Sequence, residues 1–196
     1  MKIREIETYT FDELSNDAKD KAVEWWLSYS DYPPNEDNRE VLTKFCDIFP
    51  VTVKNWKYGD RNDINYTIQL DDVYRDMAGV RLLRYLMNNY YDDLFRPKYI
   101  GNLKNKGKWW PIYSKCQVDN SYVLTGYCVD MDILEPIYKF IKKPDESVSF
   151  ADLLNDCLWS WIYACRSDYE AYFSRESAEE NIRINEYTFT LDGKRV

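Results

Sequence analysis

Four pairs of closely spaced aspartates are the residues of this 196-residue chain that could support metal-assisted chemistry. Mg²⁺ needs only one or two carboxylates plus water, so metal-dependent hydrolysis is one hypothesis. The pairs are Asp71/Asp72, Asp92/Asp93, Asp130/Asp132 and Asp152/Asp156. The chain also contains 34 acidic residues, which makes close pairs inevitable. We therefore interpret the four pairs as structural and expect no metal site.

Other catalytic residue types are missing or badly spaced. The chain has no histidine, which removes the commonest general base near neutral pH and excludes Ser-His-Asp, Cys-His and histidine-based zinc chemistry. The six glycines are isolated and form no phosphate-binding loop. Five cysteines, an odd number without a Cys-x-x-Cys pair, indicate reduced and mostly buried thiols. We expect no catalytic residues, no cofactor and no enzymatic activity.

A basic, aromatic-rich insert around residues 95–116 is the main charge asymmetry of the chain. No acidic residue occurs between Leu94 and Val118, while six basic residues there contribute a charge of +6. Because the formal net charge is −8, the rest of the chain carries −14. This acidic remainder argues against broad, nonspecific binding to nucleic acid.

The insert contains the candidate binding residues. They are Lys98, Tyr99, Lys104, Lys106, Lys108, Trp109, Trp110 and Tyr113. Lysines could pair with phosphates while the rings stack on bases. Alternatively, the tryptophans could anchor a protein interface, where aromatic residues dominate binding. In a third interpretation, Trp109 and Trp110 pack into the core and the lysines are only solvated.

Capped helices at the two ends of the chain form the predicted scaffold. Thr10 and Glu13 have capping-box spacing, and Ser15 can cap a helix that continues to Tyr29. On that helix we expect a single buried face, which consists of Ala18, Ala22, Trp25 and Tyr29. Ser149 can open a hydrophobic helix with a stripe of Leu154, Leu158, Trp161 and Cys165, the expected core partner of the first helix. Ser174 or Ser177 can cap a last helix.

Between these ends, hydrophobic periodicity predicts four further features. They are a helix over Asp37–Ile48, a hairpin of Val51–Tyr58 with Ile64–Leu70, a long helix over about Val73–Tyr91, and a short helix over Ile133–Ile141 interrupted near Pro136. The basic insert follows the long helix and is predicted to be a long loop or a hairpin. Residues from Val118 to Met131 are predicted to form a strand or a buried turn.

The predicted fold class is α+β, with several helices packed on a small, mainly antiparallel sheet. Imperfect alternation predicts a strand over Lys2–Phe11. Similar strand-forming segments near both termini, Glu7–Phe11 and Glu186–Thr190, are expected to pair in that sheet. We expect one compact domain over residues 1–196. No apolar run reaches the roughly 20 residues of a membrane span, and the start has no hydrophobic centre of a signal peptide. These features predict a soluble, cytoplasmic protein with no membrane partner.

The opening segment carries a recognisable pattern. From Tyr9 to Trp25 the chain reads Tyr-x-Phe-x-Glu-Leu-Ser-x-x-Ala-Lys-x-x-Ala-x-x-Trp. This pattern resembles the start of a group of uncharacterised phage and prophage proteins, and residues 177–193 resemble the end of the same group. The resemblance covers about a quarter of the chain and implies no catalytic residues.

The resemblance implies a phage accessory protein. By analogy with other small, acidic proteins from phages, it favours an inhibitor of a host defence system, comparable to anti-CRISPR proteins. The expected partner is a host protein, such as a nucleic-acid-binding defence protein whose basic groove the acidic surface could occupy. Nucleic acid itself is the second candidate partner, and the oligomeric state is left open.

Overall fold

A computed structural model describes residues 7–59, 61–97, 102–105, 108–111, 118–119 and 122–196, and between residues 96 and 121 it describes the backbone alone. The chain divides into two compact units. The first consists of Met1–Pro33 and Ser167–Val196, and the second of Pro34–Arg166. The expectation of a single compact domain stays a prediction.

The first unit joins the two ends of the chain. Its elements are β1 (Tyr9–Thr10), a 3-10 turn (Phe11–Glu13), α1 (Asn16–Tyr29), the end of α7 (Phe150–Tyr172), α8 (Arg175–Ile184) and β8 (Thr188–Phe189). The terminal strands pair in antiparallel register, Tyr9 with Phe189 and Thr10 with Thr188. The predicted pairing of the two ends is therefore confirmed. The first part of the predicted strand Lys2–Phe11, up to residue 6, lies outside the described residues.

The predicted caps of this unit are present. Glu13 Oε2 accepts hydrogen bonds from the backbone N–H and the hydroxyl of Thr10, at 2.7 and 2.8 Å. Ser15 Oγ accepts from the Ala18 N–H at the start of α1, and Ser174 Oγ accepts from the Ser177 N–H at the start of α8. Each side chain satisfies a backbone group that the helix leaves unpaired.

The core of the first unit lies between α1, α8 and β8. Its buried α1 residues are Ala18, Ala22, Val23 and Trp26, and they cluster with Ala178, Ile182 and Phe189. Two expectations were wrong. Tyr29 is 77% exposed rather than buried. Trp26 is buried in addition to the expected alanines, while Trp25 is half-buried and packs against the core beside Phe189. The core partner of α1 is α8, whereas Leu154–Cys165 belongs to the core of the second unit.

The second unit contains the remaining elements. They are α2 (Asn35–Ile48), β2 (Val51–Lys57), β3 (Asp63–Ile68), α3 (Asp72–Arg75), α4 (Gly79–Asn89), α5 (Tyr91–Leu94), β4 (Arg96–Pro97), β5 (Asn102–Asn105), β6 (Lys108–Pro111), β7 (Val118–Asp119), α6 (Val129–Lys142) and the first part of α7. Its core includes the predicted α7 stripe, since Leu154, Leu158, Trp161 and Cys165 are all fully buried.

The predicted hairpin is confirmed and contains a β-bulge. Strands β2 and β3 pair from Val51↔Ile68 to Lys57↔Asp63, with a register shift between Val53 and Asn55. The extra residue is Lys54. Because strand side chains alternate faces, this insertion keeps Trp56 on the same face as Val53, where its ring meets Trp161 at 5.2 Å.

The predicted long helix over Val73–Tyr91 was wrong, because the chain forms three shorter helices there. Ala78 is extended and bridges Ser149, and Gly79 has a φ of +56°. The Gly79 N–H donates to the Asp145 carbonyl at 3.1 Å. A left-handed residue cannot continue a right-handed helix, so α3 and α4 are separated here.

The predicted interruption near Pro136 was also wrong. Helix α6 begins at Val129 and continues through Pro136 to Lys142. The α+β class is confirmed: the described strands form four two-stranded antiparallel sheets beside the helices. Among the described residues, no helix combines the length and the apolar character needed to cross a membrane.

Candidate functional site

The basic insert contains an antiparallel ribbon. Strand β5 pairs with β6 through Asn102↔Pro111, Leu103↔Trp110, Lys104↔Trp109 and Asn105↔Lys108. Paired positions share a face of a ribbon, and successive positions alternate between faces. Positions 104 and 109 therefore lie on one face, and positions 103, 108 and 110 lie on the other. Each face has one lysine position and one tryptophan position.

This register brings together half of the predicted binding residues. Lys104, Lys108, Trp109 and Trp110 lie on the two strands. The predictions at Lys98, Tyr99, Lys106 and Tyr113 lie outside the described residues. In the third interpretation of the insert, both Trp109 and Trp110 pack into the core. The two positions lie on opposite faces of the ribbon, so a single surface of the protein can cover only one of them.

A short ladder joins the two ends of the insert. Strand β4 pairs with β7 through Arg96↔Asp119 and Pro97↔Val118. The two ends of the insert therefore lie side by side within the second unit. The first acidic residue after the insert, Asp119, pairs in register with its first basic residue, Arg96.

Tyr138 anchors the chain that leads into the insert. Leu94 is fully buried, and its carbonyl accepts a hydrogen bond from the Tyr138 hydroxyl at 2.8 Å. The ring of Phe95 lies 5.8 Å from the Tyr138 ring. Burial, assisted by the negative charge of Asp130, raises the pKa of Tyr138. The hydroxyl consequently keeps its proton and remains a donor to Leu94.

Asp130 anchors the chain that returns from the insert. Its buried carboxylate accepts hydrogen bonds from the N–H groups of Leu124, Thr125 and Gly126 at 2.8–3.1 Å, and from the Thr125 hydroxyl at 2.8 Å. Such charge-assisted bonds are stronger than neutral ones. Asp130 and Tyr138 lie on the same helix, so α6 holds the chain on both sides of the insert, at Leu94 before it and at residues 124–126 after it.

Sequence reasoning missed this anchoring role. In the sequence, Asp130 stands out only as one half of the Asp130/Asp132 pair, and Tyr138 belongs to no motif. A usable signal did exist, because Thr125-Gly126 is a turn-forming pair and an aspartate follows four residues after the glycine. The contact between Tyr138 and Leu94 joins residues far apart in the chain and has no local signal.

The other aspartate pairs lie at helix starts or on helix surfaces. Asp71 and Asp72 begin α3, and Asp92 and Asp93 lie in the first turn of α5, where carboxylates complement the helix dipole. Asp152 accepts from the backbone N–H and hydroxyl of Ser149. Within the part of the chain that the structure describes, no group of three or more histidine, cysteine, aspartate or glutamate residues could hold a metal ion.

The described cysteines form no disulfide among themselves and differ in exposure. Cys157 and Cys165 are fully buried, Cys46 is half-buried and Cys128 is exposed. Burial raises the pKa of the Cys157 thiol, which keeps it protonated and unreactive. The remaining cysteine, Cys116, lies outside the described residues.

Comparisons of the chain with protein-family models, curated proteins and solved structures found no match.

Proposed function

We propose that this protein acts by stoichiometric binding to another protein, as a phage-type accessory protein that inhibits a host defence system. The expected site of action is the bacterial host cytoplasm. The observation that carries this proposal is the β5–β6 ribbon, in which the Trp109 and Trp110 positions lie on opposite faces. If one face packs on the protein, the tryptophan on the other face is available to a partner.

Residue type supports a protein partner. Tryptophan is enriched among the few interface residues that contribute most of the binding free energy. The lysines on each face of the ribbon can pair with acidic residues at the rim of an interface. The rest of the chain has a formal net charge of −14. This charge favours binding to a partner whose own surface is basic, such as a nucleic-acid-binding defence protein.

The anchoring of the insert also supports binding. Helix α6 holds Leu94 through Tyr138 and residues 124–126 through Asp130, so the chain is fixed on both sides of the insert. Two fixed ends restrict the conformations open to the insert before binding, which lowers the conformational entropy that binding would otherwise have to offset.

The experiment compares four versions of the protein as bait in host lysate. Wild type should retain one dominant protein, and Trp109→Ala or Trp110→Ala should lose it. Lys139→Ala, an exposed lysine of α6 outside the insert, is the matched control and should retain it. The purified pair should then form a complex of fixed stoichiometry by size-exclusion chromatography with light scattering. Failure to retain any protein at several salt concentrations would contradict the proposal.

Nucleic acid is a second candidate partner, favoured by the pairing of Lys104 with Trp109 on one face of the ribbon. A phosphate contact and a base-stacking ring side by side are what single-strand binding requires. Fluorescence anisotropy with labelled single-stranded DNA and RNA tests this function. The triple change of Lys104, Lys106 and Lys108 to Glu should abolish binding, and an unchanged affinity would exclude it.

A further inference from the structure

A groove on the second unit lies between helix α2 and strand β2, away from the insert in sequence. It has a volume of about 670 Å³ and is lined on the helix side by Asn35, Arg39 and Leu42, and on the strand side by Val51, Lys54 and Trp56. Ligand sites typically measure roughly 300–1,000 Å³. The groove therefore has room for a ligand as large as a mononucleotide.

The floor of the groove is apolar and contains an aromatic ring. Leu42 and Val51 are both 4% exposed and Trp56 is half-buried. The Trp56 ring is held by Tyr58, which stacks on it at 5.4 Å with an interplanar angle of 10°, and by Trp161, which meets it at 88°. These two contacts fix the Trp56 ring, so the part of it that lines the groove is rigid.

The groove is not suited to an added peptide strand. Strand addition needs free N–H groups along the outer edge of β2. The Val51 N–H already donates to the Phe49 carbonyl at 2.7 Å, and the Val53 N–H donates to the sulfur of Cys46. With these two donors occupied, the groove favours a compact ligand over an extended chain.

The groove carries two cations without carboxylate partners. Among the described residues, neither Arg39 nor Lys54 forms an ion pair, although the chain has 34 acidic and 26 basic residues. Asp47 is the single carboxylate among the lining residues. Two unpaired cations in a strongly acidic protein are available to an anion, and Arg39 can bind two oxygens of a phosphate at once.

Neutral donors add to this positive charge. The Asn35 Oδ1 accepts a hydrogen bond from the Tyr58 hydroxyl at 2.8 Å, which leaves the amide nitrogen of Asn35 to donate. Thr52 Oγ1 accepts from Gln69 Nε2 at 3.1 Å, so its own hydrogen can be donated as well. Asn35 and Thr52 thus add neutral donors to a polar wall that also contains the Asp47 carboxylate.

We propose that this groove binds a small phosphate-bearing ligand with a planar ring, of the class of the mononucleotides. Arg39 and Lys54 bind the phosphate, and the ring packs against the accessible part of Trp56. The site is independent of the ribbon of the insert, so the two proposals succeed or fail separately.

Isothermal titration calorimetry of the full chain tests this site. AMP and CMP are the probes, with adenosine, cytidine and inorganic phosphate as partial ligands. We expect the nucleotides to bind at least tenfold more tightly than any partial ligand. Nucleotide affinities no better than those of inorganic phosphate, or no binding at millimolar concentrations, would overturn the proposal.

Variants locate the binding. Arg39→Gln and Lys54→Gln should each weaken nucleotide binding at least tenfold. Lys57→Gln, an exposed lysine on the same strand that does not line the groove, should leave it unchanged. Circular dichroism should show the same fold for all three variants. Nucleotide binding that survives both groove changes, or that is lost through the change of Lys104, Lys106 and Lys108 to Glu instead, would refute the assignment.

Discussion

At the scale of single residues, Pro136 shows how a local defect is compensated from a distant part of the chain. A proline has no N–H, so in α6 the Asp132 carbonyl lacks its usual helical donor. The Ser160 hydroxyl of α7 donates to that carbonyl at 2.7 Å. This hydrogen bond joins α6 to α7 and explains why the helix continues through the proline.

Removal of the Ser160 hydroxyl should therefore destabilise the protein. We expect Ser160→Ala to lower the free energy of unfolding by about 1 kcal/mol, the net value of one hydrogen bond. Chemical denaturation measures this difference. In a Pro136→Ala background, the new N–H can bond Asp132, so the same change should cost less. An equal cost in both backgrounds would show that Ser160 does not act through this carbonyl.

Glu186 occupies a position that favours glycine. It follows α8 with a φ of +51°, and its N–H donates to the Arg183 carbonyl while the Tyr187 N–H donates to the Ile182 carbonyl. These two bonds form a Schellman motif, in which the left-handed residue is usually glycine. The glutamate therefore keeps a backbone conformation that costs free energy.

Replacement of this residue by glycine should stabilise the protein. We expect Glu186→Gly to raise the free energy of unfolding by about 1 kcal/mol, because glycine adopts the left-handed conformation without strain. Thermal unfolding followed by circular dichroism measures the change. Glu180→Gly, the same substitution at an exposed position inside α8, is the control and should destabilise. A loss of stability in both variants would contradict the strain at Glu186.

At the scale of elements, the break between α3 and α4 reverses the expected effect of a substitution. In a continuous helix, Gly79→Ala would stabilise by about 1 kcal/mol. In the structure, an added Cβ would lie 2.1 Å from the Glu146 carboxyl carbon, at a φ of +56°. We therefore expect Gly79→Ala to lower the free energy of unfolding by about 1–2 kcal/mol.

Urea denaturation of Gly79→Ala gives the sign directly. The double variant with Glu146→Ala separates the two causes, since it removes the contact and leaves the backbone strain. Stabilisation by Gly79→Ala in either background would show that the helix continues through this position.

The same break illustrates what the sequence could and could not predict of the fold. Caps such as Ser15 and Ser174, the β2–β3 hairpin and the pairing of the terminal strands depend on residues that act locally or by simple alternation, and these predictions were confirmed. The break at Gly79 depends on the bridge from Ala78 to Ser149, a contact between distant residues. Periodicity within one segment carries no information about such a contact.

For the candidate sites, residue type was predictable and geometry was not. The lysines and tryptophans of the insert were identified from composition, but their alternation between faces depends on the β5–β6 register. Arg39 and Lys54 lie on different elements, and they line one groove only because β2 packs beside α2. No spacing in the sequence relates them.

At the scale of the whole molecule, the buried residues that the structure describes form two hydrophobic cores, one in each compact unit. Ile182 is fully buried in the first core and Leu158 in the second. Each truncation to alanine should cost about 2–5 kcal/mol. The loss of local stability should also be largest in the unit that contains the changed residue.

Hydrogen exchange measured by mass spectrometry tests this expectation. Ile182→Ala should lower the protection of α1 and α8 more than that of α2 and α6, and Leu158→Ala should do the reverse. The two variants serve as controls for each other. Equal loss of protection along the whole chain in both variants would show that the two cores unfold as one.

The bulge at Lys54 makes this position of β2 tolerant of both substitution and loss. Substitution of Lys54 changes only the charge of the groove and keeps Trp56 and Tyr58 stacked beside Trp161. Loss of the codon for Lys54 would remove the extra residue, so that Asn55 follows Val53 directly and the pairs Asn55↔Asn65 and Trp56↔Ile64 keep their faces. At this position a missense change and an in-frame deletion are therefore both mild.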